Sequence, residues 1–121
     1  MALLNEKKKD CIHIMNINED PLLTGHIKHE INEGANLIGK SGDLKIGGLG
    51  IAKTHSKISF TADEPDGLRL SPNKDNPQKY KTNLNGSLVT ERVPLKHGDY
   101  ILFGNSNLYV VCYPQEELTE D

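Results

Sequence analysis

Leu37-Ile38-Gly39-Lys40-Ser41-Gly42-Asp43-Leu44-Lys45-Ile46-Gly47-Gly48-Leu49-Gly50-Ile51-Ala52-Lys53-Thr54-His55-Ser56-Lys57-Ile58-Ser59-Phe60 decides the fold of this chain. Apolar residues alternate with polar ones in Leu44-Lys45-Ile46 and Ile58-Ser59-Phe60, the period of a half-buried strand, and glycine clusters break the chain between them. A single histidine, His55, sits in the loop before the last strand. The same plan returns in Leu95-Lys96-His97-Gly98-Asp99-Tyr100-Ile101-Leu102-Phe103-Gly104, a strand held between two turns. Asn85-Gly86 is the sharpest turn signal, because both residues tolerate positive φ and such pairs close tight hairpins.

Outward from this stretch, Ile12-His13-Ile14, Ile27 to Ile31 and Leu68-Arg69-Leu70 also alternate, and Tyr109 to Cys112 reads as the last strand. Breakers recur about every eight to twelve residues, leaving little room for helices and predicting an all-β sandwich or barrel. In a sandwich the first and last strands lie side by side, bringing the termini together. The 121 residues fit one domain. Residues 1–10 and 115–121 read as charged flanks without periodicity, and 11–114 as the folded unit.

Composition excludes several functions. The net charge is −3 and lysines are scattered among acids, so no face reads as a nucleic-acid footprint. Four Tyr, two Phe and no Trp provide no stacking platform for bases. Two cysteines, Cys11 and Cys112, are too few for a secreted disulfide framework. No segment has the apolar length of a signal peptide or membrane span, and a cytoplasmic protein is expected.

Gly34-Ala35-Asn36-Leu37-Ile38-Gly39-Lys40-Ser41 matches the GxxxxGKS phosphate loop letter for letter. Nucleotide chemistry there requires a helix after the loop, which Gly42-Asp43 and Gly47-Gly48 disfavour. The match is read as coincidence. His26-x-x-His29 has the spacing of a weak metal-ligand pair, but residues three apart on a strand face opposite ways, so solvated strand histidines and no metal are expected. No nucleophile elbow is present, and neither enzyme activity nor a cofactor is expected.

Taken in order, Ile38-Gly39-Lys40, Leu44-Lys45-Ile46, His55, Asn85-Gly86 and the Gly98-Asp99 turn resemble the forkhead-associated (FHA) domain. Met15-Asn16-Ile17-Asn18-Glu19-Asp20-Pro21-Leu22-Leu23 and Asn85-Gly86-Ser87-Leu88-Val89-Thr90-Glu91 resemble the version in class-three (Unc-104-like) kinesins. The resemblance implies a two-sheet, mostly antiparallel β-sandwich of the SMAD/FHA type, with phosphothreonine-binding loops at one end. It also implies a parent microtubule motor, hence a microtubule association and a role in vesicle transport.

Carried over residue by residue, the resemblance puts Lys40 at the family's phosphate-binding Arg, Ala52 at its Ser, and Tyr80-Lys81 at its first Asn-Gly pair. Loss of two such hydrogen bonds, at about 1.5–3 kcal/mol each, weakens phosphopeptide binding by roughly a hundredfold to more than ten-thousandfold. Lys40, Ser41, Lys53, Thr54, His55, Tyr80 and Thr82 are the candidate partner-binding residues, and Gly39, His55, Asn85, Gly86, Gly98 and Asp99 the structural turns. His55 is expected to brace the loops. The expected function is protein interaction, with motor or coiled-coil segments of the same chain or with cargo adaptors, and phosphothreonine-peptide binding is the alternative.

Overall fold

In a computed structural model of the chain, residues 12–17, 22, 27–63 and 67–113 are described. The two flanks, Cys11, His26 and the Asn18 to Pro21 part of the kinesin-like segment lie outside them. Among the described residues there are eleven strands and no helix.

Six strands form one sheet: β1 (His13–Ile17), β2 (Lys28–Glu30), β7 (Thr82–Leu84), β8 (Ser87–Leu88), β10 (Tyr100–Phe103) and β11 (Asn107–Cys112), in the order β2-β1-β11-β10-β7-β8. The other sheet runs β4-β3-β5-β6-β9, from β3 (Gly34–Gly39), β4 (Leu44–Lys45), β5 (Ser56–Phe60), β6 (Leu68–Ser71) and β9 (Val93–Pro94). All neighbours are antiparallel except β3 and β4. As expected, the first and last strands pair, with His13 opposite Cys112 and Ile17 opposite Leu108.

Alternation sets the core. Ile38, Ile58 and Leu70 from one sheet and Ile14, Ile101, Phe103 and Val111 from the other are fully buried. Their neighbours in sequence point outward, as in Leu37, Lys57 and Ser71, aligned across β3, β5 and β6. Phe103 meets both Tyr109 and His55 edge-on, at ring separations of 5.8 and 6.2 Å.

The phosphate-loop match is a strand over residues 34–39, with the extended β3 where a phosphate loop would cradle its ligand. His29 corrects the expectation of a solvated histidine. It lies opposite Ile14, on the core face of β2, and packs on Tyr109 with ring centroids 5.8 Å apart. Its Nε2 is buried without a hydrogen-bond partner.

The Asn85-Gly86 hairpin joins β7 to β8 with φ of 50° and 91°, the doubly positive pair a tight turn of this kind requires. Asn85 also reaches a second turn. Its Nδ2 donates to Asp99 Oδ1 (3.1 Å), its Oδ1 accepts the Tyr100 amide (2.9 Å), and Asp99 Oδ2 accepts the Lys96 amide (2.8 Å).

The register makes a sharp comparison possible within one strand. Phe103→Ala should destabilise the domain by about 3–5 kcal/mol in urea unfolding, because it removes a fully buried ring. Leu102→Ala, on the outward face of β10, should lose less than half as much; equal losses would refute the register.

Candidate functional site

Three loops meet at one end of the sandwich: residues 40–43 after β3, residues 46–55 between β4 and β5, and residues 72–81 between β6 and β7. The first two are zipped together by backbone. The Lys40 amide donates to Ala52 O (3.1 Å), the Ser41 amide to Lys53 O (3.0 Å) and the His55 amide to Ile38 O (2.6 Å). Such close approach requires glycine at position 39, where an added Cβ would lie 2.3 Å from Lys53 O and 2.6 Å from Ala52 O.

His55 lies beneath these loops with no exposed surface. Its Nδ1 accepts the Ala52 amide at 3.2 Å, which leaves the ring proton on Nε2, donated to Lys81 O at 2.7 Å. Burial lowers the pKa of the ring, and the Lys81 bond only partly offsets it. Tyr80 packs edge-on against the imidazole at 6.1 Å, and Lys79 Nζ stands 5.2 Å from the Tyr80 ring centre.

Asn73 fastens the third loop, a role not read from the sequence. It is buried, its Nδ2 donates to Thr54 O (3.0 Å) and His55 O (3.2 Å), and its Oδ1 accepts the amides of Asp75 and Asn76. The available signal was Ser71-Pro72-Asn73, since an Asn after Pro readily folds the chain back on its own amides. Below it, Ser56 Oγ and Thr82 Oγ1 share a buried hydrogen bond of 2.6 Å.

These contacts divide the candidate residues. Lys40, Ser41, Lys53 and Thr54 are exposed at the apex, and Tyr80 is half-buried beside it. Thr82 and His55 are both fully enclosed, so neither presents a side chain to a partner. Thr82 sits beside the apex in sequence, but β7 begins there and turns its hydroxyl inward onto Ser56. Gly98 and Asp99 lie far along the chain, in the turn tied to Asn85. At the position where the resemblance implies a serine, Ala52 contributes a methyl group, its amide held by His55 and its carbonyl by Lys40.

No group of three His, Cys, Asp or Glu among the described residues could hold a metal ion. No helix there is long and apolar enough to cross a membrane.

The FHA domain family model matches residues 34–104 of this two-sheet sandwich, from β3 through the end of β10. The chain belongs to the FHA domain family, whose members are non-catalytic interaction modules.

Its sequence is similar to mouse kinesin-like protein KIF28, at 36% identity over 126 residues, covering 99% of this chain and 12% of that protein. Human kinesin-like protein KIF13B is 32% identical over 109 residues, covering 88% of this chain and 6% of its own length. Human kinesin-like protein KIF1C is 30% identical over 116 residues, 93% of this chain and 10% of that protein. The chain thus spans about an eighth or less of these relatives.

Among solved structures, the FHA domain of yeast Dun1, in complex with a doubly phosphorylated (pT) peptide derived from Rad53, superposes with a TM-score of 0.69 at 24% identity, covering 91% of this chain and 79% of that one. The FHA domain of CT664 from Chlamydia trachomatis gives 0.68 at 12% identity, covering 84% and 96%. Both likenesses are of fold.

Asn73→Ala should lower stability by about 1–3 kcal/mol, since it leaves buried carbonyls and amides without partners. Amide exchange should rise throughout residues 72–81 while β3 and β5 stay protected; unchanged exchange in that loop would refute the brace.

The histidines set the pH dependence. Burial lowers the pKa of both His29 and His55 in the folded state, so between that value and the unfolded 6.5 the unfolded chain binds more protons. Their contribution is therefore complete above about pH 6.5 and declines as pH falls below it, by at most about 1.4 kcal/mol per pH unit for each ring. Chemical denaturation from pH 8 to 5 should show this decline, and His29→Leu should make it shallower. A flat profile across that range would contradict the neutral burial of the rings.

Proposed function

We propose that the domain is a protein-interaction module of a kinesin-like microtubule motor. Its partners are motor or coiled-coil segments of the same chain, or cargo adaptors. The similarity to kinesin-like proteins over nearly the whole domain supports the parent, which is in turn the basis for a cytoplasmic, microtubule-associated location and a role in vesicle transport.

One observation carries the reading of the apex. The loops that would hold a phosphate spend their donors on each other: the Lys40 and Ser41 amides on loop carbonyls, the Ala52 amide on His55. Ala52 has no hydroxyl to add, and Lys81 offers a carbonyl already taken by His55. A phosphate near −2 charge is bound best by planar, bidentate Arg with hydroxyl and amide donors, and Lys40 supplies only a point charge.

A second reading, a phosphothreonine-peptide receptor, is favoured by a different observation. The amides of Lys53 and Thr54 have no partner among the described residues, and the side chains of Lys40 and Lys53 on the same pair of loops are exposed. The Dun1 domain with its doubly phosphorylated peptide shows that the shared fold supports such binding in that protein.

Calorimetric titration separates the two. Threonine-containing peptides from motor or coiled-coil segments should bind within about threefold of equally with and without phosphate, a difference under about 0.7 kcal/mol. Selectivity of a hundredfold or more for the phosphorylated form, abolished by Lys40→Ala, would establish the receptor instead.

A further inference from the structure

Beside the apex, a groove of about 590 Å³ runs between the 72–77 loop and the outer face of the five-stranded sheet. Its floor includes Leu37, Lys57 and Ser71, the outward row across β3, β5 and β6. Its wall is Pro72, Lys74 and Pro77. Leu37 keeps 37% of its surface exposed there, although its chain neighbours Asn36 and Ile38 are buried. The two prolines and the Asn73 brace fix the wall, so a ligand meets a preformed surface and loses little free energy to loop ordering.

The charges of the groove have one sign. Lys57 and Lys74 are exposed, no carboxylate lines the groove, and neither lysine has an ion-pair partner among the described residues. Two cations flanking a leucine and two prolines call for the converse pattern: an apolar side chain between carboxylates, on a chain narrow enough to lie extended. We propose that this groove docks an extended acidic peptide segment, with carboxylates on Lys57 and Lys74 and an apolar residue against Leu37. A nucleic acid fits less well, because two isolated lysines on a chain of net charge −3 do not make a polyanion track. The site specifies partner chemistry for the interaction module proposed above; it shares Thr54 with the apex but uses none of the side chains of Lys40, Ser41 or Lys53.

The test titrates the whole chain with a fluorescein-labelled peptide carrying two glutamates on each side of one leucine, followed by anisotropy and by amide shifts. The same peptide with lysines for glutamates is the control. The acidic peptide should bind, the basic one should not, and the shifts should centre on residues 37, 57, 71 and 74. Lys57→Glu with Lys74→Glu, both at exposed positions, should weaken binding about tenfold or more and leave the melting temperature unchanged. A Lys40→Ala, Lys53→Ala variant should bind normally.

Unchanged affinity in the Lys57, Lys74 variant, or shifts confined to residues 40–41 and 53, would overturn the groove while leaving the interaction-module reading intact. Heparin binding the groove as tightly as the peptide would overturn the assignment of a peptide partner.

Discussion

The enclosed imidazole of His55 is the constraint on which the apex depends. One nitrogen takes the Ala52 amide from the 46–55 loop and the other gives its proton to Lys81 O at the end of the 72–81 loop. The ring thereby joins segments that lead into different sheets, β5 on one side and β7 on the other. A buried polar group is costly unless its bonds are made, and both nitrogens of this ring are satisfied only by a neutral ring in one tautomer. Asn73 and the Ser56–Thr82 hydroxyl pair repeat the arrangement one layer away, each crossing between the same two segments. Such networks are worth most when complete, so the loops hold one another rigidly.

Rigidity of this kind uses the groups that binding would need. The amides of Lys40, Ser41 and Ala52 are saturated internally, and the methyl of Ala52 stands where the family resemblance implies a hydroxyl. What remains outside, among the described residues, is the pair of unbonded amides of Lys53 and Thr54 and a set of lysines, Lys40 and Lys53 above the loops and Lys57 and Lys74 on the flank. Point charges on flexible stems attract acidic surfaces without demanding one phosphorylated residue.

Much of the fold was legible in the sequence. Period-two alternation marked β1, β5 and β6, the Asn85-Gly86 pair marked its hairpin, and the pairing of the first and last strands followed from the sandwich itself. Less could be read where burial depends on register between distant strands. His29 looked like a surface residue of a short polar strand, and only its position opposite Ile14 turns it onto Tyr109. Thr82 looked like a loop residue because nothing local reveals that β7 starts there, facing Ser56 some 26 positions earlier in the chain. Asn73 lay in a polar loop whose composition suggested a turn, while its bonds to Thr54 O and His55 O depend on contacts with another loop altogether.

The most direct measurement is the pair of ¹⁵N shifts of the His55 ring, followed through acid titration and through addition of phosphothreonine peptide. A brace requires an unprotonated Nδ1 and a protonated Nε2 that persist below pH 6.5 and do not respond to the peptide. A ring that titrates near 6.5 like a free histidine, or changes tautomer when phosphate arrives, would show that His55 belongs to a binding pocket and not to the framework beneath it.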